Sequence, residues 1–153
     1  MVEQRVQRRL AAILAADVVG YSAMMGRDEA GTLARLMACR ESIIDPSFAR
    51  YGGRIVKVMG DVLLVEFASA VDAVQSAHEV QSAMASRNAD ISEADQMEFR
   101  VGINLGDVIV DGDDIHGDGV NIAARLEGVC EPGGIYISDN VYHQVRGKVG
   151  ANF

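Results

Sequence analysis

The stretch of residues 54–67, RIVKVMGDVLLVEF, limits the possible folds of this chain more than any other. It contains two apolar, β-branched runs, Arg54–Met59 and Val62–Phe67, separated only by Gly60 and Asp61. A glycine at the first central position of a two-residue turn predicts a β-hairpin. Asp61 is therefore expected on a tight turn, where an aspartate commonly does no more than bond to nearby backbone.

A second acid, Asp17, suggests a role for Asp61 beyond the turn. Asp17 interrupts the apolar run LAAILAADVVG at residues 10–20, which otherwise reads as a central strand buried on both faces. A buried carboxylate destabilises a fold unless it has a partner. Two acids at the ends of neighbouring strands could share one partner, a divalent metal ion.

The first half of the chain carries clear helix signals. Asp28 is expected to cap a helix, Pro46 to kink or restart it with Asp45 as a new cap, and Gly52-Gly53 to end it. After the hairpin, Ser69 and Asp72 resemble a capping box that opens a helix to about residue 87.

In the second half, apolar and other residues alternate strictly from Phe99, which predicts a strand with one buried face and with Arg100 pointing away from the core. A helix is expected over about residues 120–129, burying Ile122, Leu126 and Val129. Asn121 and Arg125, four residues apart, would share an adjoining stripe of that helix. A strand at residues 134–138 and a short helix from Asp139 follow.

This order of elements predicts an α+β fold with a ferredoxin-like βαββαβ core, its helices on one face of a mostly antiparallel sheet, followed by a helix-strand-helix extension. In that topology the first strand lies beside the hairpin, so Asp17 and Asp61 would converge at one end of the sheet. The length of 153 residues suits a single domain, residues 1–153.

Charge and cysteine content exclude several classes of function. The formal net charge of -8 disfavours nucleic acid and anionic membranes as partners, so a phosphate-bearing ligand would need local cations or metal. Cys39 and Cys130 lack metal-binding spacing and are expected to be free thiols in the cytoplasm. The apolar run after Arg8-Arg9 ends at Asp17, too short for a membrane segment.

Five motifs in order resemble the class III nucleotidyl cyclase catalytic domain, the family that makes cyclic AMP or cyclic GMP. They are AADVVGYS around Asp17, KVMGD ending at Asp61, FRVGINLGDV from Phe99, DDIHGDGVNIAARLE from Asp113, and EPGGIYIS from Glu131. The resemblance covers nearly the whole chain and implies the nucleotide cyclase fold.

The resemblance also implies roles for particular residues. Asp17 and Asp61, with the backbone carbonyl of Val18, match the ligands of two Mg²⁺ or Mn²⁺ ions per site. Lys57 and Asp114 match the pair that reads the purine in adenylate-type members. Because guanine offers the opposite hydrogen-bonding polarity, this pair implies ATP as the substrate.

Three further residues match groups that act on the sugar and phosphates. Asn121 matches the residue that orients the ribose, Arg125 the one that stabilises charge on the α-phosphate in the transition state, and Arg100 an arginine that contacts phosphate. Each also has a plain structural alternative: Lys57 as a solvated strand lysine, Arg125 as half of a helix salt bridge, and Asp114 as part of an acidic loop.

In the family, two domains pair head to tail, and each cleft takes its metal acids from one protomer and its base-reading and transition-state residues from the other. The resemblance therefore implies a homodimer with two composite sites. Family domains normally continue past the position of Phe153 into a strand pair with a second phosphate-binding lysine, so the domain is expected to be truncated, with uncertain activity. The alternatives are a guanylate cyclase and a non-catalytic, cyclase-like dimerisation or nucleotide-sensing module.

Overall fold

The computed structural model describes residues 6–149. A six-stranded sheet forms its centre. The strands are β1 Gln7–Val18, β2 Arg54–Met59, β3 Val62–Phe67, β4 Phe99–Asp111, β5 Asp114–His116 and β6 Ile135–Ile137. The helices are α1 Tyr21–Arg27, α2 Glu29–Cys39, α3 Asp45–Arg50, α4 Ala70–Asn88, α5 Asp118–Val129 and α6 Asp139–Val145, with a π-helical segment at Arg40–Ile44 and a 3₁₀ turn at Glu93–Asp95.

The strand order β2-β3-β1-β4-β5 confirms the predicted ferredoxin-like core. Strand β1 lies between β3 and β4 and pairs antiparallel with both, while β6 pairs with β4 in parallel. Elements α5, β6 and α6 form the expected helix-strand-helix extension. The first strand is thus the neighbour of the hairpin, as the order of elements predicted.

Local capping signals account for two of the helix starts. The side chain of Asp28 accepts a hydrogen bond from the Gly31 N–H, and that of Ser69 accepts one from the Asp72 N–H. The expected cap at Asp45 is wrong. Helical backbone continues through the π-helical segment into α3, and the Asp45 carboxylate instead accepts hydrogen bonds from Arg40.

The sheet is covered on both faces, so the prediction that β4 has one buried face is wrong. The larger core lies on the side of α2, α3, α4 and α6. A second, smaller cluster lies beneath α5: Ala11, Ile13, Ala15, Leu64, Val108, Ile115 and Ala123. Asn104, which the alternation placed on an open face, is buried there, and its Nδ2 donates to the Gly119 carbonyl at 3.0 Å.

Helix α5 packs on β4 through small residues, because the backbones come very close. A Cβ added at Gly102 would lie 2.3 Å from the Glu127 nitrogen and 2.4 Å from the Ala123 carbonyl oxygen. Gly119 and Ala123 are buried, whereas Ile122 and Val129, both expected to be buried, are 37% and 69% exposed. The predicted buried face of this helix is therefore wrong for Ile122 and Val129, which point outward, whereas Val120 packs against the smaller cluster.

No helix within residues 6–149 has both the length and the hydrophobicity that crossing a membrane requires.

Candidate active site

The hairpin turn brings Asp61 to the end of β1. Gly60 has a φ of 61°, a backbone conformation that glycine adopts at little cost, and it turns the chain so that Asp61 faces the neighbouring strand. The Asp61 Oδ2 atom accepts a hydrogen bond from the Val18 N–H at 2.9 Å. The Asp61 side chain therefore lies at the same end of the sheet as Asp17, the residue before Val18, as the sequence predicted.

The same hydrogen bond orients the backbone of Val18. In a strand, the N–H and C=O of one residue point toward the same neighbour. The Val19 N–H, by contrast, donates toward the other side, to the Glu98 carbonyl. The Val18 carbonyl thus lies on the hairpin side, together with Asp61.

Arg100 holds both oxygens of the Asp17 carboxylate. The two residues are direct partners in the β1/β4 ladder. Arg100 Nε donates to Asp17 Oδ1 at 2.9 Å, and Nη2 donates to Oδ2 at 2.6 Å. This pair raises the pKa of the guanidinium. Arg100 Nη1 also donates to the Gly128 carbonyl of α5 at 3.2 Å.

Sequence reasoning missed Glu127, a third acid at this site. Its Oε1 lies 3.3 Å from Arg100 Nη2, and that oxygen is buried without a well-aligned hydrogen-bond partner among residues 6–149. Burial, followed by interaction with Asp17, raises the pKa of Glu127 to about 8. The available signal was spacing: Gly119, Ala123 and Glu127 recur every four residues and so share one stripe of α5.

The structure pairs Lys57 with Asp114. Lys57 Nζ on β2 lies 2.9 Å from Asp114 Oδ2 at the start of β5. Lys57 lowers the pKa of the Asp114 carboxyl, and the Ile115 N–H, which donates to Asp114 Oδ1 at 2.8 Å, lowers it further. Lys57 is thus not a purely solvated lysine, and Asp114 is anchored at both oxygens.

A cleft of about 270 Å³ opens beside this pair. Lys57 of β2, Glu127 and Asn121 of α5, and His116 of β5 line it, with apolar walls that include Leu64 and Val120. His116 Nε2 lies 3.3 Å from Asp111 Oδ2 and 3.5 Å from Asp114 Oδ2. The cleft is apolar with a few convergent polar groups, which is typical of a small-ligand site.

Asn121 and Arg125 both lie exposed on α5, one turn apart, as the sequence spacing predicted. Arg125 forms no hydrogen bond or ion pair with the part of the chain that the structure describes, so the helix salt bridge does not account for it.

The donor atoms at the hairpin end fit a hard divalent cation. Asp17, Asp61 and the Val18 carbonyl supply oxygens, the ligand atoms that such cations prefer. Within residues 6–149, however, no three His, Cys, Asp or Glu side chains form a ready metal cluster. Any cation would therefore rely on the two aspartates and backbone oxygen.

The chain matches a family of known proteins along most of its length. The family model for the adenylate and guanylate cyclase catalytic domain matches residues 4–152. A putative adenylate cyclase 3 from Rhizobium meliloti is 48% identical over the whole of this chain, and an adenylate cyclase from Streptomyces coelicolor is 34% identical over 84% of it. The chain spans only 26% and 32% of the lengths of these relatives.

Solved structures share the fold. The adenylate/guanylate cyclase/hydrolase from Silicibacter pomeroyi is 44% identical, with a TM-score of 0.88 over 96% of this chain and 85% of that one. The adenylyl cyclase CyaB from P. aeruginosa is 27% identical, with a TM-score of 0.80 over 95% and 84%. On the family model, the sequence identity and the fold together, this chain belongs to the adenylate and guanylate cyclase catalytic-domain family.

Proposed function

We propose that this domain is an adenylate cyclase that converts ATP to 3′,5′-cyclic AMP and pyrophosphate by attack of the ribose 3′-oxygen on the α-phosphorus. The observation that carries this choice is the 2.9 Å contact between Lys57 and Asp114 at the edge of the cleft.

This pair suits adenine. An ammonium group only donates hydrogen bonds and an ionised carboxylate only accepts them. Lys57 would donate to the ring N1 and Asp114 would accept from the 6-amino group. Guanine presents an N1–H donor and an O6 acceptor instead, which leaves both protein groups mismatched.

Asp17, Asp61 and the Val18 carbonyl would hold two Mg²⁺ or Mn²⁺ ions. When bound, such ions lower the pKa of the attacking hydroxyl and neutralise charge on the leaving pyrophosphate. This chain contributes the acids, and their convergence at the hairpin end supports the assignment.

The remaining named residues would act on the sugar and the phosphates. Asn121 would orient the ribose, and Arg125 would donate to the α-phosphate as charge develops there. Arg100 would contact the phosphates once its Nε and Nη2 atoms release Asp17, to which both now donate.

We further propose that two copies pair head to tail and form composite sites. Large apolar residues remain exposed beside the site: Val58 at 44%, Met59 at 58%, Ile122 at 37% and Val129 at 69%. Exposed apolar residues grouped on the hairpin tip and α5 are typical of an interaction surface. Asn121 and Arg125 lie on the same helix and would reach the partner's metal acids.

The test is production of cyclic AMP and cyclic GMP from ATP and GTP with Mn²⁺, with Asp17→Asn and Asp61→Asn as loss variants. We expect cyclic AMP from the unchanged chain and at least a roughly hundred-fold loss in each variant. Asp90→Asn, in an exposed loop, serves as the matched control. Preferential formation of cyclic GMP would support a guanylate cyclase, and nucleotide binding without either product a non-catalytic module.

Composite sites predict complementation. Asp17→Ala and Arg125→Ala proteins, each inactive alone, should regain part of their activity when mixed, because a mixed dimer has one site free of both substitutions. Activity per molecule should also rise with protein concentration. If the mixture stays as inactive as its components, the proposal of composite sites is wrong, even if the unchanged chain makes cyclic AMP.

A further inference from the structure

We propose that Arg100 is the internal counter-ion of the cation site, and that Glu127 is a positioning residue that receives the Arg100 guanidinium when a divalent cation occupies Asp17. This inference rests on the proposed function, since it takes Asp17 as a metal ligand.

In the described structure, the positive charge of Arg100 already balances the negative charge of the Asp17 carboxylate. Arg100 donates to both of its oxygens, and only 14% of the Asp17 side chain is exposed. A divalent cation on Asp17 would lie within a few ångströms of the guanidinium, and like charges at that distance repel strongly where water is scarce. Binding of the metal ion therefore requires Arg100 to leave Asp17, so the guanidinium and the metal ion compete for the Asp17 carboxylate.

Two acceptors keep the displaced guanidinium near the site. The Gly128 carbonyl already accepts from Nη1 at 3.2 Å. Glu127 Oε1 lies 3.3 Å from Nη2, is buried, and has no well-aligned hydrogen-bond partner among residues 6–149. A buried oxygen without a partner is unusual in a folded protein and is destabilising until it accepts a hydrogen bond. It can accept from Arg100 with or without a proton on the carboxyl group.

The close packing of α5 on β4 fixes this acceptor in place. The Glu127 nitrogen lies 2.3 Å from the position that a Cβ on Gly102 would take, so the helix backbone is seated against the strand. Arg100 lies two residues before Gly102 on the same face of β4. A small movement of the guanidinium from Asp17 toward α5 is then sufficient for the exchange.

The test measures Mn²⁺ affinity in the absence of nucleotide, by calorimetry or by the electron paramagnetic resonance of free Mn²⁺. Arg100→Gln should bind Mn²⁺ about ten-fold more tightly than the unchanged chain, because the competing cation is gone. Glu127→Leu should bind several-fold more weakly, because Arg100 then has only the Gly128 carbonyl as an alternative acceptor and stays longer on Asp17. Glu127→Gln, which keeps an acceptor oxygen, should restore most of the affinity.

The double variant separates this role from direct coordination. With Arg100→Gln in place, Glu127→Leu should leave Mn²⁺ affinity unchanged. Arg9→Gln is the matched control, because Arg9 forms a similar two-bond pair with Glu66, away from the hairpin end. It should not alter Mn²⁺ binding. Thermal unfolding of each variant shows whether it is folded.

Three results would overturn the proposal. Equal or weaker Mn²⁺ binding by Arg100→Gln would show that Arg100 does not compete with the cation. An equal loss from Glu127→Leu with and without Arg100 would make Glu127 a direct ligand or a purely structural residue. Mn²⁺ binding that survives Asp17→Asn would remove the proposed metal site itself, and this inference with it.

Discussion

Replacing Gly102 by alanine tests the packing that positions the site. The new Cβ would lie 2.3 Å from the Glu127 nitrogen, 2.4 Å from the Ala123 carbonyl oxygen and 3.0 Å from the Glu127 Cα, all of them backbone atoms. Because backbone cannot rotate aside as a side chain does, α5 must move away from β4. Removing the shortest contact requires a shift on the order of 0.7 Å, from 2.3 Å to the 3.0 Å below which real contacts are essentially never found.

The expected loss in the free energy of unfolding follows from two opposing terms. Overpacking of this kind costs about 1–3 kcal/mol. Replacing glycine by alanine in a strand recovers part of that, about 0.5–1 kcal/mol, by restricting the unfolded chain. Because all three clashing atoms are backbone, the overpacking cost should lie in the upper part of its range, about 2–3 kcal/mol. We therefore expect a net loss of about 1–2.5 kcal/mol, which lowers Tm by roughly 2–10 °C for a domain of this size.

The assay is thermal and urea unfolding of the Gly102→Ala protein beside a Gly128→Ala control. Gly128 lies on α5 with nothing within 4 Å of its added Cβ, so alanine there should stabilise the domain by about 0.5–1 kcal/mol. Well below Tm, Gly102→Ala should also lower the proposed cyclase activity, because α5 carries Asn121 and Arg125, to which the proposal assigns contacts with the substrate. A Gly102→Ala protein as stable as the unchanged chain would refute the close packing described above.

Two further predictions concern pH and helix capping. In the folded state the pKa of Glu127 is about 8, whereas its ordinary value, which applies to the unfolded chain, is 4.5. Between these pH values the folded state binds a proton that the unfolded state has lost, so metal-free protein should lose stability as the pH rises through this range. Unfolding curves of Glu127→Gln should lack that part of the pH dependence. An unchanged pH profile would show that another group causes the loss of stability. Ser69→Ala removes the cap of α4 and should cost about 1 kcal/mol in urea unfolding, whereas Ser82→Ala, exposed in the interior of the same helix, should cost nothing.

Features that depend on short-range chemistry could be predicted from the sequence. The turn at Gly60-Asp61 and the caps at Asp28 and Ser69 each follow from a few adjacent residues. The order of elements then restricted the sheet topology, which was sufficient to bring Asp17 and Asp61 together. The pairing of Lys57 with Asp114 came from the family resemblance, and the structure places the two side chains in contact.

The contacts of Arg100 could not be predicted in the same way. Arg100 is 83 residues from Asp17 in the chain, and their contact depends on the register of β1 against β4. A shift of one residue in that register would send Arg100 to the opposite face of the sheet. Apolar alternation identifies which residues share a face, but here both faces are covered, so alternation did not show that Arg100 lies beneath a helix.

Helix α5 explains why a hydrophobicity pattern gave the wrong buried face. Such patterns assume that large apolar residues face the core, yet α5 leaves no room for a large side chain where its backbone touches Gly102 on the strand. The large residues Ile122 and Val129 then lie outward, beside Asn121 and Arg125. The close contact between α5 and β4 thus has two consequences. It fixes Glu127 beside Arg100 on the inner stripe, and it leaves an outer stripe that carries apolar residues together with Asn121 and Arg125. Apolar side chains on this outer face stay in water in an isolated domain and would be buried against a partner. Their exposure therefore supports the proposal that the outer face of α5 contacts a second copy of the chain.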